Sequence, residues 1–187
     1  QAGDPGPPQP ANPMNPPLRP RPARRDLIAA SRATALAEVE DRARLPRLLG
    51  VRMPATWPPP LNDEESMRWT LEYYRKDPPD AGGWGFWYVA LREESDPKPI
   101  LTGNLGFKGR PTPDGTVEIG YSILEERQRQ GYGTEAVAAL IGWAFSHREV
   151  ERVVAETYPH LRGSLRIMEG AGMRPLGPGA DEGVVRY

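Results

Sequence analysis

The sequence contains no cysteine and only two histidines, His147 and His160, among 187 residues. Without a thiol there are no disulfides, no thiolate catalysis and no cysteine-based metal sites. Two histidines are too few for a histidine-rich metal site. We therefore predict a protein that holds no metal ion.

Positive and negative side chains are nearly balanced, since the chain has 24 Lys and Arg and 25 Asp and Glu, for a formal net charge of −1. Such a balance offers no field to hold a nucleic-acid backbone, so we expect no nucleic-acid partner. No apolar run approaches the length of a membrane span, and the N-terminus lacks the apolar core of a signal peptide. The prediction is a cytoplasmic protein without membrane contact.

Proline is abundant and unevenly placed: nine of the 23 prolines fall within residues 1–22. Residues 1–23 have almost nothing to bury, which predicts a disordered, polyproline-like tail. A proline-rich ligand for a partner domain is the alternative. Residues 24–187 suit one folded domain, and the pair Arg24–Arg25 at its start is interpreted as a solvated edge.

Hydrophobic periodicity predicts an α/β domain with one mixed sheet. Pro46 is expected to break the first helical pattern. The predicted helices cover residues 32–49, 62–75, 134–146 and 163–171, and the predicted strands cover 27–31, 84–91, 100–107, 116–123, 152–157, 173–176 and 184–187.

A glycine-containing loop, RQRQGYGTEA at 127–136, joins a predicted strand to an apolar helix. Glycines let backbone amides turn inward, and the following helix adds free N–H groups and its positive end, which together favour phosphate. A solvated turn is the alternative. Gly131, Gly133 and Ala136 also fit the dinucleotide fingerprint. Too little chain follows and no βαβ half precedes, so a nicotinamide-binding domain is rejected.

At this loop the sequence resembles the GNAT acetyltransferases. QRQGYG at 128–133 matches Q/R-x-x-G-x-G/A, their acyl-CoA pyrophosphate loop, and EIGYSIL before it looks like their fourth strand. The later ETYPHLRGSLRIMEGAGM is similar to T-x-P-x-N-x-x-S-x-R-V-L-E-K-x-G-F, most like the branch of the ribosomal-protein N-terminal acetyltransferases. The resemblance is clear over residues 84–176, vaguer over 24–80, and does not cover the tail.

The resemblance implies a GNAT fold, with a single mixed twisted sheet flanked by helices and strands splayed at the acyl-CoA site, and acetyl-CoA as co-substrate. It implies that Ser164 protonates the leaving thiolate, since Met168 replaces the tyrosine acid of many relatives. Leu161 replaces the family's asparagine, which removes a polar contact. The implied cofactor-binding residues are Ile123 and Leu124 for the pantetheine arm, and Gln128, Arg129, Gln130, Gly131, Tyr132, Gly133 and Thr134 for the pyrophosphate.

Acetyl transfer to an amine needs a neutral amine, a polarised thioester carbonyl and a protonated leaving sulfur. A backbone N–H at Ile123 or Leu124 is placed to polarise the carbonyl. Glu118 is the candidate base, beside Gly120, whose missing side chain leaves room for a ligand. The alternative is a surface glutamate held in a salt bridge.

These residues predict an N-acetyltransferase that moves an acetyl group to a protein N-terminus or a small-molecule amine. The second hypothesis is a catalytically idle acyl-CoA-binding regulatory module of the same fold, which Leu161 favours. Oligomeric state is left open, a homodimer included. Six aromatic residues either line an acceptor pocket or fill the core: Trp69, Tyr73, Tyr74, Trp84, Trp87 and Tyr88.

Overall fold

The computed structural model describes residues 25–76 and 83–187. The prediction of a disordered tail over residues 1–23 therefore falls outside the described residues. Five α-helices and eight strands are assigned within them. The helices are α1 (Arg32–Glu40), α2 (Leu45–Leu49), α3 (Glu64–Lys76), α4 (Tyr132–Phe145) and α5 (Arg162–Gly170). The strands are β1 (Arg25–Ala29), β2 (Phe86–Glu93), β3 (Asp96–Phe107), β4 (Thr116–Ile123), β5 (Arg152–Val154), β6 (Glu156–Thr157), β7 (Gly177–Pro178) and β8 (Val185–Arg186).

The main sheet has the strand order β1-β2-β3-β4-β5. The first four strands pair antiparallel, and β4 pairs parallel with β5. This mixed sheet, flanked by helices, confirms the predicted α/β class. The last three short strands form a separate sheet in the order β6-β8-β7 instead of extending the first.

The two C-terminal strand predictions need correction. The predicted strand at 173–176 is wrong, because the chain there first closes helix α5. Gly172, at φ +88°, donates to the Glu169 carbonyl, and Met173 donates to the Met168 carbonyl, which is a Schellman motif. The predicted strand at 152–157 divides into β5 and β6, which belong to different sheets.

The first predicted helix is also interrupted elsewhere than expected. Ser31 opens α1 with a capping box to Thr34, and α1 ends before Asp41. Pro46 does not break a helix: it lies in the first turn of α2, where an amide has no intrahelical acceptor to lose.

Each face of the main sheet is covered by different helices. Helices α4 and α5 pack on one face, and the N-terminal helices pack on the other, where Ala37, Leu45 and Trp57 meet Tyr88. Most of the large aromatics fill these cores. Trp84, Trp87 and Tyr88 are buried, whereas Trp69 stays 56% exposed on α3 and stacks on Tyr73.

Strands β4 and β5 are paired over only three residues, from Thr116 to Glu118 on β4. After Val154 the chain turns away, because both backbone groups of Ala155 pair with Tyr187 near the second sheet. The rest of β4, through Ile123, therefore has no partner strand on its β5 side. This splay was expected from the resemblance, and its cause is the departure of the chain to a second sheet.

Candidate functional site at the open edge of β4

The unpaired edge of β4 presents backbone groups to the gap that β5 leaves. Leu124 donates its amide to the Thr102 carbonyl at 2.9 Å. Because antiparallel ladders alternate, the N–H and C=O of Ile123 then point away from β3, toward the gap. Of the two residues expected to pair with a pantetheine arm, only Ile123 has its amide on the open side, since the Leu124 amide is already used.

The predicted pyrophosphate loop lies at the end of this gap and opens helix α4. Among the described residues, no acceptor is recorded for the six consecutive backbone amides from Arg129 to Thr134. Arg129 at φ +59° and Gly131 at φ +80° both adopt left-handed backbone, and Gly131 is the N-cap of α4 without a side-chain cap. Unused amides at a helix N-terminus are donors of the kind that bind anions, so this loop is a candidate anion site.

The two glutamines of the loop shape it from within. Gln128 donates its side-chain amide to the Ile123 carbonyl at 3.0 Å, and Gln130 donates to the Glu126 carbonyl at 3.1 Å. These side-chain donors, which the sequence offered as extra phosphate ligands, hold the loop in shape. The donors that remain for an anion are the backbone amides of the loop and the exposed side chain of Arg129.

Gly133 has a packing role besides its place in the loop. A Cβ at Gly133 would lie 2.6 Å from the Ile167 Cδ1 atom on α5. A Cβ at Gly170 would likewise lie 2.8 Å from the Thr134 Cγ2 atom on α4. On each helix, a glycine leaves room for a side chain of the other helix. Helices α4 and α5 therefore approach closely at these two points.

Ser164 lies on α5 and is joined to β4 by a residue that the sequence did not single out. The Tyr121 hydroxyl is 2.9 Å from both the Ser164 carbonyl oxygen and the Ser164 Oγ atom. Burial raises the pKa of Tyr121 to about 12, so the hydroxyl stays protonated at neutral pH. In the sequence Tyr121 alternates with Val117 and Ile119, so the pattern alone predicts a packing residue at this position.

Glu118 lies on the opposite face of β4 from Tyr121, because strand side chains alternate. Its carboxylate pairs with the ammonium of Lys108, which is itself 62% exposed. An added Cβ at Gly120, two residues along the same face, would meet no atom within 4 Å. The expected open space beside Glu118 is therefore present, and so is the salt bridge of the alternative interpretation.

Polar side chains continue along the same face into the sheet. Asn104 is the cross-strand partner of Ser122 on β4 and of Tyr88 on β2. Asn104 is only 4% exposed, and its Nδ2 atom has no hydrogen-bond partner among the described residues. An unpaired buried donor is costly, so this donor beside the open space is a candidate contact for an acceptor molecule.

A second carboxylate, Glu38 on α1, is buried on this face, away from the open edge of β4. It receives hydrogen bonds from Arg42 at 3.1 Å and from the Trp57 indole at 3.3 Å. Burial raises the pKa of Glu38. Both of these partners come from the N-terminal segment that covers this face, so we assign Glu38 a structural role.

Leu161 occupies the N-cap position of α5 and provides no side-chain cap. The asparagine that the family pattern places there is a strong N-cap residue. The substitution therefore removes a helix cap in addition to the polar contact noted from the sequence.

Within the described ranges, no helix is long and apolar enough to cross a membrane. The same residues contain no group of three or more metal-ligating side chains arranged to hold an ion.

Comparison with known proteins agrees with this geometry. Residues 27–174 match the family model described as "Acetyltransferase (GNAT) domain". The uncharacterized N-acetyltransferase YjdG of Bacillus subtilis is 31% identical over 90 residues, which are 48% of this chain and 51% of YjdG. The chain thus matches about half the length of this curated relative.

Two solved structures share the fold. A putative ribosomal-protein-serine acetyltransferase from Vibrio cholerae superposes with a TM-score of 0.59 at 21% identity, covering 93% of this chain and 99% of its own. The microcin C7 self-immunity acetyltransferase MccE, in complex with acetyl-CoA and AMP, superposes with a TM-score of 0.57 at 14% identity, covering 89% and 93%. Since the family model matches most of the chain, the protein belongs to the GNAT acetyltransferase family.

Proposed function

We propose that the protein is an N-acetyltransferase that moves the acetyl group of acetyl-CoA directly to an amine. The observation that carries this proposal is the adjacency of the edge of β4 that has no partner strand, where the Ile123 amide is free, and the six unused amides from Arg129 to Thr134. A long ligand with an amide-containing arm and a pyrophosphate fits both at once. Charge-assisted hydrogen bonds from such amides contribute ~1.5–3 kcal/mol each.

Acetyl-CoA supplies an acetyl group activated as a thioester. In our proposal the Ile123 amide donates to the thioester carbonyl and stabilises the negative charge that develops on its oxygen. Glu118 accepts the proton of the attacking amine, directly or through one water molecule. Ser164 donates a proton to the departing sulfur and takes one from solvent in return, and Tyr121 holds the Ser164 side chain in place. Glu118 and Ser164 act from opposite faces of β4, on either side of the gap.

The pairing of Glu118 with Lys108 is compatible with a base. An exposed ion pair contributes only ~0.2–1 kcal/mol, so an incoming amine displaces Lys108 at little cost. Until then the ammonium of Lys108 keeps the carboxylate at the edge of the open space.

The acceptor in this proposal is an α-amine, of a protein N-terminus or a small molecule. At pH 7, neutralising an α-amine costs about 1 kcal/mol, and neutralising a lysine side chain costs about 4.6 kcal/mol. One carboxylate base suits the first better. The name of the Vibrio cholerae structure, a ribosomal-protein-serine acetyltransferase, is in line with a protein acceptor.

A second candidate function, an acyl-CoA-binding module without turnover, is favoured by Leu161, which provides no polar side chain near the cofactor site. Both functions require CoA binding and differ in acetyl transfer.

The deciding experiment has two steps. First, thermal stability is measured with acetyl-CoA, CoA, NAD and ATP. We expect stabilisation by the two CoA forms only, of about 2.7 kcal/mol at 100 times the dissociation constant. Second, release of the CoA thiol is followed with peptides that carry a free N-terminus, with the same peptides N-terminally blocked but containing lysine, and with small amines.

Transfer to free α-amines supports the enzyme, and CoA binding without transfer to any acceptor supports the module. Absence of stabilisation by either CoA form would contradict both.

A further inference from the structure

Arg25 on β1 is buried, although the sequence suggested a solvated edge. Its side chain is 4% exposed and forms an ion pair with Glu135 in the first turn of α4. Its guanidinium carbon lies 4.4 Å from the centroid of the Tyr132 ring. The Arg25 Nε atom has no hydrogen-bond partner among the described residues. Burying a guanidinium with one donor unpaired costs free energy. We therefore ask which role of Arg25 offsets that cost.

Both partners of Arg25 belong to the helical turn that carries the free amides. Tyr132 is the first residue of α4, and Glu135 follows within the same turn. A carboxylate near a helix N-terminus interacts well with the helix dipole. The same carboxylate repels a doubly negative pyrophosphate bound to the neighbouring amides. The positive charge of Arg25 offsets that repulsion.

We infer that Arg25 is a positioning residue of the acyl-CoA pyrophosphate loop. It holds Tyr132 by a cation–π contact and neutralises Glu135, so that the loop amides face the ligand with no uncompensated negative charge beside them. This inference rests on the proposed function of the loop. It concerns the pyrophosphate alone, so ligands that lack one are bound independently of Arg25.

The test is the affinity of the full chain for CoA and for pantetheine, which has the same arm without the pyrophosphate. Affinity is measured by calorimetry for CoA and by NMR titration for pantetheine. The variants are Arg25→Met, Glu135→Gln and the two combined. Arg92→Met is the matched control, because Arg92 pairs at 2.8 Å with Asp26, the adjacent residue of β1, whose side chain points to the other sheet face.

We expect Arg25→Met to weaken CoA binding about tenfold, which corresponds to about 1.4 kcal/mol, and to leave pantetheine affinity within about twofold. Glu135→Gln, at a 53% exposed side chain, should bind CoA at least as well as the wild type. The combined variant should recover most of the affinity that Arg25→Met loses. Arg92→Met should bind both ligands like the wild type.

Equal CoA affinity of wild type and Arg25→Met would overturn this inference and leave the proposed function standing. So would a combined variant as weak as Arg25→Met, because charge neutralisation would then be irrelevant. If Arg25→Met does not fold, Arg25→Lys replaces it as the test variant, because lysine retains the positive charge. A loss of CoA affinity in Arg25→Lys that is not relieved by adding Glu135→Gln would also overturn the inference. A wild type that binds no CoA would overturn the proposed function and this inference together.

Discussion

The two faces of β4 are built in different ways. On the α4–α5 face, the candidate cofactor site uses backbone amides of one continuous segment, residues 123–134, and two helices that are in close contact. On the other face, the candidate acceptor site consists of side chains from separate segments: Glu118 on β4, Asn104 on β3 and Lys108 just after β3. A site of backbone groups tolerates many side-chain changes, whereas a site of side chains changes with each substitution. We therefore expect substitutions on one face to change the affinity for the cofactor and substitutions on the other face to change the choice of acceptor.

The strongest test of this separation removes the two proposed proton-transfer groups. We expect Glu118→Gln and Ser164→Ala each to lower kcat by about 10²–10⁴, the usual range for general acid–base catalysis, with the dissociation constant of CoA unchanged. Steady-state kinetics and calorimetry provide the two values. Ser146→Ala and Glu149→Gln are controls at exposed positions outside the gap. A normal kcat for either test variant would refute the role assigned to that residue.

A smaller effect is expected for Tyr121, which acts through Ser164. Tyr121→Phe should lower kcat about tenfold, and should cause no further loss in a Ser164→Ala background. Because the pKa of Tyr121 is about 12, its hydroxyl does not titrate below pH 10. The pH dependence of kcat between pH 6 and pH 9 should therefore have the same shape in the wild type and in the variant.

Tyr187→Phe is the matched control for Tyr121→Phe, since the Tyr187 hydroxyl bonds Glu169 on the same helix at 3.2 Å. Additive losses of Tyr121→Phe and Ser164→Ala would mean that the two residues act independently.

Asn104 tests the acceptor face alone. Asn104→Leu removes an unpaired buried donor, and we expect the free energy of unfolding to increase by about 1 kcal/mol. If the donor contacts the acceptor, the same change raises the acceptor KM and leaves CoA affinity intact. Asn62→Leu is the control, because Asn62 also has an unpaired Nδ2 atom and 7% exposure. Equal acceptor KM values in both variants would remove Asn104 from the acceptor site.

The smallest expected effect concerns the cofactor face. Leu161→Asn restores the N-cap of α5 and should stabilise the protein by about 1 kcal/mol in thermal or urea unfolding. It should tighten CoA binding and leave acceptor KM unchanged. Leu161→Ala is the control, since it removes the exposed leucine without adding a cap. A Leu161→Asn variant no more stable than Leu161→Ala would show that the cap is not the missing contribution.

The sequence predicted the features that are built from contiguous residues and missed the contacts between residues far apart in the chain. The loop and the strand before it are contiguous and carry glycines at fixed spacing, so local reasoning placed them and the α/β class correctly. The Tyr121–Ser164 contact joins residues 43 apart, and the Arg25–Glu135 pair joins residues 110 apart. Neither pair has a local signature, because a half-buried tyrosine fits an apolar strand pattern and an arginine near a tail resembles a surface residue.

The errors at the C-terminal end have a different origin. A strand was expected at 173–176, but the glycine before these residues ends a helix, the Met173 amide is used in that cap, and Pro175 has no amide to donate. Short strands of two residues depend on neighbours from elsewhere in the chain and have no periodicity of their own.

The reciprocal glycine contacts between α4 and α5 have a consequence for ligand length. Because Gly133 packs against Ile167 and Gly170 packs against Thr134, the loop at the start of α4 and Ser164 on α5 are carried by two closely packed helices. In the function we propose, the span from the phosphate-binding loop to the proton donor Ser164 is therefore set by the protein, just as the span from pyrophosphate to sulfur is set by the covalent length of pantetheine. On this proposal the spacing of the two helices selects the length of the pantetheine arm. An analogue with one methylene more in its arm would have its sulfur displaced from Ser164.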